Sequence, residues 1–268
     1  MIKALTNADY HAGEGVSKSD LDKIARSPAH FRAAKDGPQK PPTPAMVLGS
    51  LFHTLTLEPI EFSTEYAVAP VCDKRTKAGK ELWASFEAEN GGKAIVTPDQ
   101  YETAQRMADA VLCHPAAREY VTGNGDVENS IYWNPAVTPD VLCKCRPDFI
   151  KWVGDGHYLL VDLKSTDDAR PFNFQRSAWN YRYHVQAPFY WDGCTNEFSV
   201  APDSFIFIAC EKEPPYAVVV YEASIEMLNA GREEYYHDLQ VYQECLRTGV
   251  WPGYPVEPVL LMPPRWAE

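Results

Sequence analysis

No stretch of the 268-residue chain approaches the roughly 18 consecutive apolar residues that would suggest a bilayer span, so no membrane helix is expected. The seven cysteines (Cys72, Cys113, Cys143, Cys145, Cys194, Cys210 and Cys245) are odd in number and scattered. That number and scatter argue against a disulfide framework, and without a C-x-x-C pair zinc and iron–sulfur clusters have little support. Cys143 and Cys145 would share one face of a strand and read as small buried hydrophobes. Basic residues are also scarce: 25 Lys and Arg against 37 Asp and Glu give a formal net charge of −12. That balance argues against a surface that binds phosphate everywhere, while leaving room for a local basic groove in an acidic exterior. The phosphate-loop pattern G-x-x-x-x-G-K-[ST] is absent, so no nucleotide-driven motor of that kind is expected. Met1-Ile2-Lys3 runs into polar residues rather than the apolar core of a secretory signal, and the expectation is a soluble, cytoplasmic protein.

What is present is enough apolar material for a sizeable core: 45% hydrophobic and 12% aromatic residues, within the length of a single domain. Residues 1–120 read as a mainly helical N-terminal part, and residues 121–268 as a sheet-containing core. Ser19 is placed to cap a short helix carrying Leu21 and Ile24, and Ser27-Pro28 to start another. A third helix is expected from about Ala45 to Leu57. Thr97-Pro98-Asp99-Gln100 has the form of a capping box for a helix ending near Cys113. Between them, Lys74-Arg75-Thr76-Lys77-Ala78-Gly79-Lys80 is the densest basic cluster. It is either a solvated loop or a phosphate-tracking one through Arg75, Lys77 and Lys80.

From Val127 onward the pattern changes to short runs of β-branched and aromatic residues. Val127–Trp133, Val141–Ile150 and His157–Lys164 read as consecutive, mainly antiparallel strands. Phe172–Asp192 is helical by pattern, Ser204–Cys210 and Tyr216–Tyr221 are strands, and Ser224 caps a long helix closed by Gly249. The fold class is therefore α/β (α+β): a mixed central sheet flanked by helices.

Two of these strands carry acid near their ends. Alternation puts Asp162 and Lys164 on one face, with Leu163 facing the opposite layer. Asp148 on the adjacent strand would bring a second carboxylate beside Asp162, a costly pairing unless one is protonated or a cation lies between them. A hard divalent cation with oxygen ligands fits, with the Leu163 carbonyl as a further ligand. Lys164 could then orient or deprotonate a water, or stabilise a pentavalent phosphate. A plain charge pair at a strand end is the competing explanation for the tripeptide alone.

Asp148, a gap of fourteen residues and Asp162-Leu163-Lys164 together resemble the PD-(D/E)xK nuclease signature, including Pro147 before the first acid. Ser17-Lys18-Ser19, Ser27-Pro28-Ala29-His30, Gly49-Ser50-Leu51-Phe52-His53, Cys145-Arg146-Pro147-Asp148 and Tyr183-His184-Val185-Gln186-Ala187 resemble the RecE-type exodeoxyribonucleases, the exonuclease VIII branch, over roughly residues 10–200. That resemblance implies a metal ligand, or its close neighbour, at His53, which by itself reads sooner as a satisfied core histidine. It implies an acidic position for a second metal at Glu128, which could instead be an exposed strand-edge charge. Gln186 and Tyr190, four apart on one helix face, match the Q-x-x-x-Y element implied to contact DNA or position the site. Gly49 would allow close approach one turn before His53. The implied cofactor is Mg2+, with Mn2+ as a substitute, and neither zinc nor an iron–sulfur cluster. The implied activity is 5′→3′ digestion of linear double-stranded DNA to leave 3′ single strands for recombination by strand annealing. The implied partners are that DNA, a RecT-type single-strand annealing protein, and further copies of the chain in a homotetrameric ring. A structure-selective or restriction-type endonuclease, and a non-catalytic DNA-binding scaffold, are the alternatives.

Overall fold

The structure, a computed structural model, describes residues 2–3, 5–38 and 40–263. A side chain that accepts a backbone N–H, followed by proline, starts several of the helices. In chain order the first elements are β1 (Ile2–Lys3), α1 (Asn7–Ala12), α2 (Lys18–Arg26), α3 (Pro28–Asp36), α4 (Pro44–Leu57) and α5 (Phe62–Glu65). Then come β2 (Tyr66–Val68), α6 (Lys77–Glu89), β3 (Ala94–Val96), α7 (Pro98–Cys113) and α8 (Pro115–Val121). Ser27 caps α3, Thr43 caps α4, and Thr97 with Gln100 forms the expected capping box of α7. The cap of α2 is Ser17 rather than Ser19, with Asp20 closing the box. Lys23 and Lys35 also hold the Asp20 carboxylate, each at 3.2 Å. The basic cluster is not one loop either, since Thr76 caps α6 and places Lys77 and Lys80 on that helix.

The second half runs β4 (Gly125–Val127), β5 (Ser130–Trp133), β6 (Cys143–Cys145), β7 (Phe149–Gly154), β8 (His157–Thr166), α9 (Pro171–Asn180) and α10 (Tyr183–Phe198). It ends with β9 (Ser204–Glu211), β10 (Val218–Glu222) and α11 (Ile225–Thr248), capped by Ser224 and closed by Gly249 as expected. Two expected strands are each split in two. Val127–Trp133 breaks at Glu128, whose backbone is left-handed (φ 51°), and Val141–Ile150 breaks across Arg146-Pro147-Asp148. The halves serve different sheets: β4 and β7 lie in a five-stranded sheet, while β5 and β6 join β1 in a three-stranded one. The expected single helix Phe172–Asp192 is likewise two, with Arg182 at φ 54° between them.

The five-stranded sheet has the order β10-β9-β8-β7-β4. β8 and β9 are parallel and the other neighbours antiparallel. A parallel pair cannot be joined by a tight turn, and α9 with α10 forms the crossover. Strict alternation divides the sheet's side chains between two cores. Leu160, Phe205, Phe207 and Ala209 pack toward α10 and α11, whereas Val161, Leu163, Ile206 and Ile208 pack toward α4 and α7. Burying each of these larger side chains contributes about 1.5–3 kcal/mol. No α6 residue enters either core. Among the described residues no helix is long and apolar enough to cross a membrane.

α10 and α11 approach so closely that a Cβ built at Gly231 would lie 1.6 Å from the His184 carbonyl oxygen. Gly231→Ala is therefore expected to cost about 1–3 kcal/mol and lower the melting temperature by several degrees. Gly91, which has nothing within 4 Å of the same position, is the control. Equal melting temperatures for Gly231→Ala and Gly91→Ala would contradict this packing.

Candidate active site

The site forms where β8 outruns its neighbour. β7 begins at Phe149, which pairs with Val161, so two residues further on Leu163 has no β7 residue opposite it. A buried backbone N–H and C=O must still be satisfied. The Leu163 N–H donates to Asp148 Oδ2 at 2.7 Å, and the Leu163 carbonyl lies 3.0 Å from His53 Nε2. Two side chains thus take the place of a strand, one from the segment before β7 and one from α4.

That arrangement fixes the histidine tautomer. A carbonyl only accepts, so Nε2 carries the proton and Nδ1 of the neutral ring is a bare lone pair. Burial pulls the His53 pKa below the ordinary histidine value, which keeps the ring neutral at pH 7. Nδ1 faces Asp148 Oδ2 at 3.4 Å. His53, Glu128 and Asp148 each offer a ligand atom, and the three atoms lie within 4.8 Å of one another. Burial raises the Asp148 pKa well above the usual carboxylate range, and the charge on Asp162 raises it further. Burial and then the charge on Asp148 push Glu128 up as well. Lone pairs converging under mutual repulsion, mostly on oxygen, suit a hard divalent cation.

On the other face of β8, Asp162 and Lys164 sit beneath α10. Lys164 Nζ donates to Gln186 Oε1 at 3.0 Å, and Gln186 Nε2 donates to Asp162 Oδ1 at 2.5 Å. Lys164 Nζ is also 2.5 Å from Asp162 Oδ2, a charge contact, since that oxygen has no aligned hydrogen bond among the described residues. Burial alone would lower the Lys164 pKa, but the adjacent charge of Asp162 outweighs it and leaves it above the ordinary lysine value. Lys164 therefore stands as a cation in this arrangement, with its Nζ 4.4 Å from the centre of the Tyr183 ring.

The structure gathers His53, Glu128, Asp148, Asp162, Leu163, Lys164 and Gln186. It does not put Asp162 in the His53–Glu128–Asp148 triple. Tyr190 lies half-buried against the core on the same helix as Gln186, and its pKa is raised well above the tyrosine value, first by burial. Arg75, Lys77 and Lys80 make no contact with the gathered residues. Arg75 is held by Asp73 at 3.0 Å and Lys77 lies 3.8 Å from Glu81, all at the surface. Among the described residues no backbone approaches Gly49 closely, since a Cβ there would meet only Ser165 Oγ at 3.8 Å.

Two contributors carried no role in the sequence reading. Arg146 Nε donates to the Glu128 carbonyl at 2.7 Å and pairs with Glu128 Oε2 at 2.8 Å, so it holds the acid whose backbone is left-handed. Arg146 stands two residues before Asp148 within the Cys145-Arg146-Pro147-Asp148 motif, which marked its neighbourhood but not its role. Tyr183 lies one turn before Gln186, where an aromatic reads as ordinary helix packing.

Comparison with family models gives one described as "PDDEXK-like domain of unknown function (DUF3799)", matched by residues 17–257. No curated protein matches the chain. Among solved structures, one described as a "Putative exonuclease" from Eubacterium rectale is similar, with 12% identity and a TM-score of 0.59 over 95% of this chain and 97% of that one. At that identity the likeness shows a shared fold. Another, SSO0001, has 14% identity and a TM-score of 0.32 over 73% of this chain and 86% of its own, too distant to bear on the site. The match over residues 17–257 means that the chain belongs to this family of PDDEXK-like domains, in keeping with the nuclease signature that Asp148 and Asp162-Leu163-Lys164 resemble.

Proposed function

We propose that the protein is a divalent-metal-dependent DNA exonuclease that hydrolyses phosphodiester bonds at the Asp148/Asp162-Leu163-Lys164 centre. The observation that carries this reading is the convergence of His53 Nδ1, Glu128 and Asp148 beside a buried, charged Lys164. His53, Glu128 and Asp148 would hold the cation, while the Leu163 carbonyl is taken by the opposite ring nitrogen of His53, and Asp162 bonds Gln186 and pairs with Lys164. The chemistry that Mg2+ or Mn2+ supplies in such a site is a more acidic attacking water and neutralisation of charge on phosphate oxygens. Lys164 adds a fixed positive charge for the charge that develops on phosphate, and its charged state favours that role over proton abstraction. Gln186 keeps Lys164 and Asp162 in register by bonding both.

The RecE-type resemblance extends the proposal to 5′→3′ digestion of linear double-stranded DNA. The product would be a 3′ single strand handed to a RecT-type annealing protein for recombination, and the working form a homotetrameric ring in the cytoplasm. The Eubacterium rectale protein's description as an exonuclease favours that direction over an endonuclease.

The test compares linear and nicked-circular duplexes with Mg2+ or with EDTA. Wild type is expected to degrade the linear duplex only with metal, and Lys164→Ala to lose about 10²–10³-fold in rate. Degradation of both substrates would favour an endonuclease. No degradation with any divalent metal, or a Lys164→Ala variant as fast as wild type, would end the proposal.

The raised Asp148 and Glu128 pKa values set a separate expectation for stability. An acid whose folded pKa exceeds its unfolded one contributes stability that is complete below the unfolded value and is lost as pH rises through the folded value. Metal-free protein should therefore lose melting temperature as pH rises above the ordinary carboxylate range, relative to an Asp148→Asn variant whose profile is flatter. Mg2+ should restore more of the melting temperature at the higher pH. Matching profiles for wild type and Asp148→Asn, with no response to Mg2+, would remove the cation site.

A further inference from the structure

A row of exposed aromatics leads away from Lys164. Phe172, Arg176 and Trp179 recur at helical spacing on one face of α9, and Tyr181 follows directly. Phe172 is 70% exposed, Trp179 51% and Tyr181 64%, far more than the packing of a helix requires. The inner ends of the row are anchored. Trp179 stacks one side of its ring on buried His184, with centroids 4.2 Å apart and planes 8° apart. Tyr181 stacks with Tyr183, the ring that carries Lys164 Nζ at 4.4 Å. Lys18 Nζ donates to the Tyr181 carbonyl at 2.7 Å and is itself paired with Asp22 at 2.8 Å. At the outer end the Arg176 guanidinium lies 5.9 Å from the Phe172 ring centre.

Charge is distributed to match. The chain holds 37 acidic residues, yet Pro171–Asn180 contains none, and Arg176 is its one charged side chain. Free ring faces, an arginine beside them and no nearby acid on the helix suit a polyanion whose bases are unpaired. Duplex DNA hides its base faces in the stack, whereas a single strand offers them, and stacking on aromatic side chains tolerates any sequence.

We propose that the outer face of α9, through Phe172, Trp179 and Tyr181 with Arg176, is a stacking platform for one unpaired DNA strand next to the catalytic centre. The proposal rests on the nuclease reading for its choice of occupant, and on continuity through Tyr181 and Tyr183 to Lys164 for its place. A strand on this platform would be held by its bases while its backbone reaches the Lys164 side of β8. The enzyme would then engage DNA whose end is frayed more tightly than a fully paired end.

The experiment measures binding in EDTA, where hydrolysis plays no part, by fluorescence anisotropy of a short oligothymidine and of an abasic oligomer of the same length. Wild type is expected to bind oligothymidine about tenfold or more tightly than the abasic strand. Phe172→Ala/Trp179→Ala should lose most of that difference, with Trp179→Phe retaining much of it. Because Trp179 also supports His184, Phe172→Ala/Arg176→Gln is a second variant confined to exposed side chains, and it should weaken oligothymidine binding severalfold at an unchanged melting temperature. Hydrolysis of a linear duplex with Mg2+ is read separately, so a failed nuclease reading would appear in hydrolysis and a failed platform in this titration. Equal affinity of wild type for the two strands, or oligothymidine binding unaltered in both double variants, would overturn the platform.

Discussion

The unmet backbone hydrogen bonding of one residue, Leu163, organises the site. β8 continues past the start of β7, and the Leu163 N–H and carbonyl are left facing a position with no strand. Asp148 and His53 fill it, and in doing so become fixed relative to each other and to Asp162 and Lys164 on the same strand. The His53 tautomer follows from the carbonyl it serves, and the bare Nδ1 follows from the tautomer. Arg146 then holds Glu128 at the third corner. A sheet that ended flush at both strands would leave these carboxylates free to move apart.

The same strand separates two tasks by parity. Leu163 turns its side chain into the core that α4 and α7 cover, and α4 is the helix that delivers His53. Asp162 and Lys164 turn toward α10, which delivers Gln186. Each half of the centre is therefore tied to the packing of one layer. A change in either core would be felt at the site through the helix that presents the side chain, not through the strand alone.

Features governed by a few neighbouring residues were legible in the sequence. Thr97 and Gln100, Ser27 and Pro28, and Ser224 with Gly249 each start or stop a helix by contacts within one turn. The parity of Asp162 and Lys164 was legible because alternation along a strand is local as well. The breaks at Glu128 and across Arg146-Pro147-Asp148 were not, because hydrophobic alternation records which face is buried, not which sheet a strand joins. His53 was marked by resemblance, but its contact with Leu163 spans 110 positions, beyond any local pattern. That Arg75, Lys77 and Lys80 make no contact with the gathered residues was not legible either, because charge density along the chain says nothing about distance from the site in space.

The central claim is that a divalent cation binds between His53, Glu128 and Asp148, and anomalous scattering from crystals soaked in Mn2+ tests it most directly. The expected result is an anomalous peak within bonding distance of His53 Nδ1 and of carboxylate oxygens of Glu128 and Asp148, lost in Asp148→Asn crystals. A well-occupied Mn2+ elsewhere on the chain, with no peak among those three side chains, would contradict it.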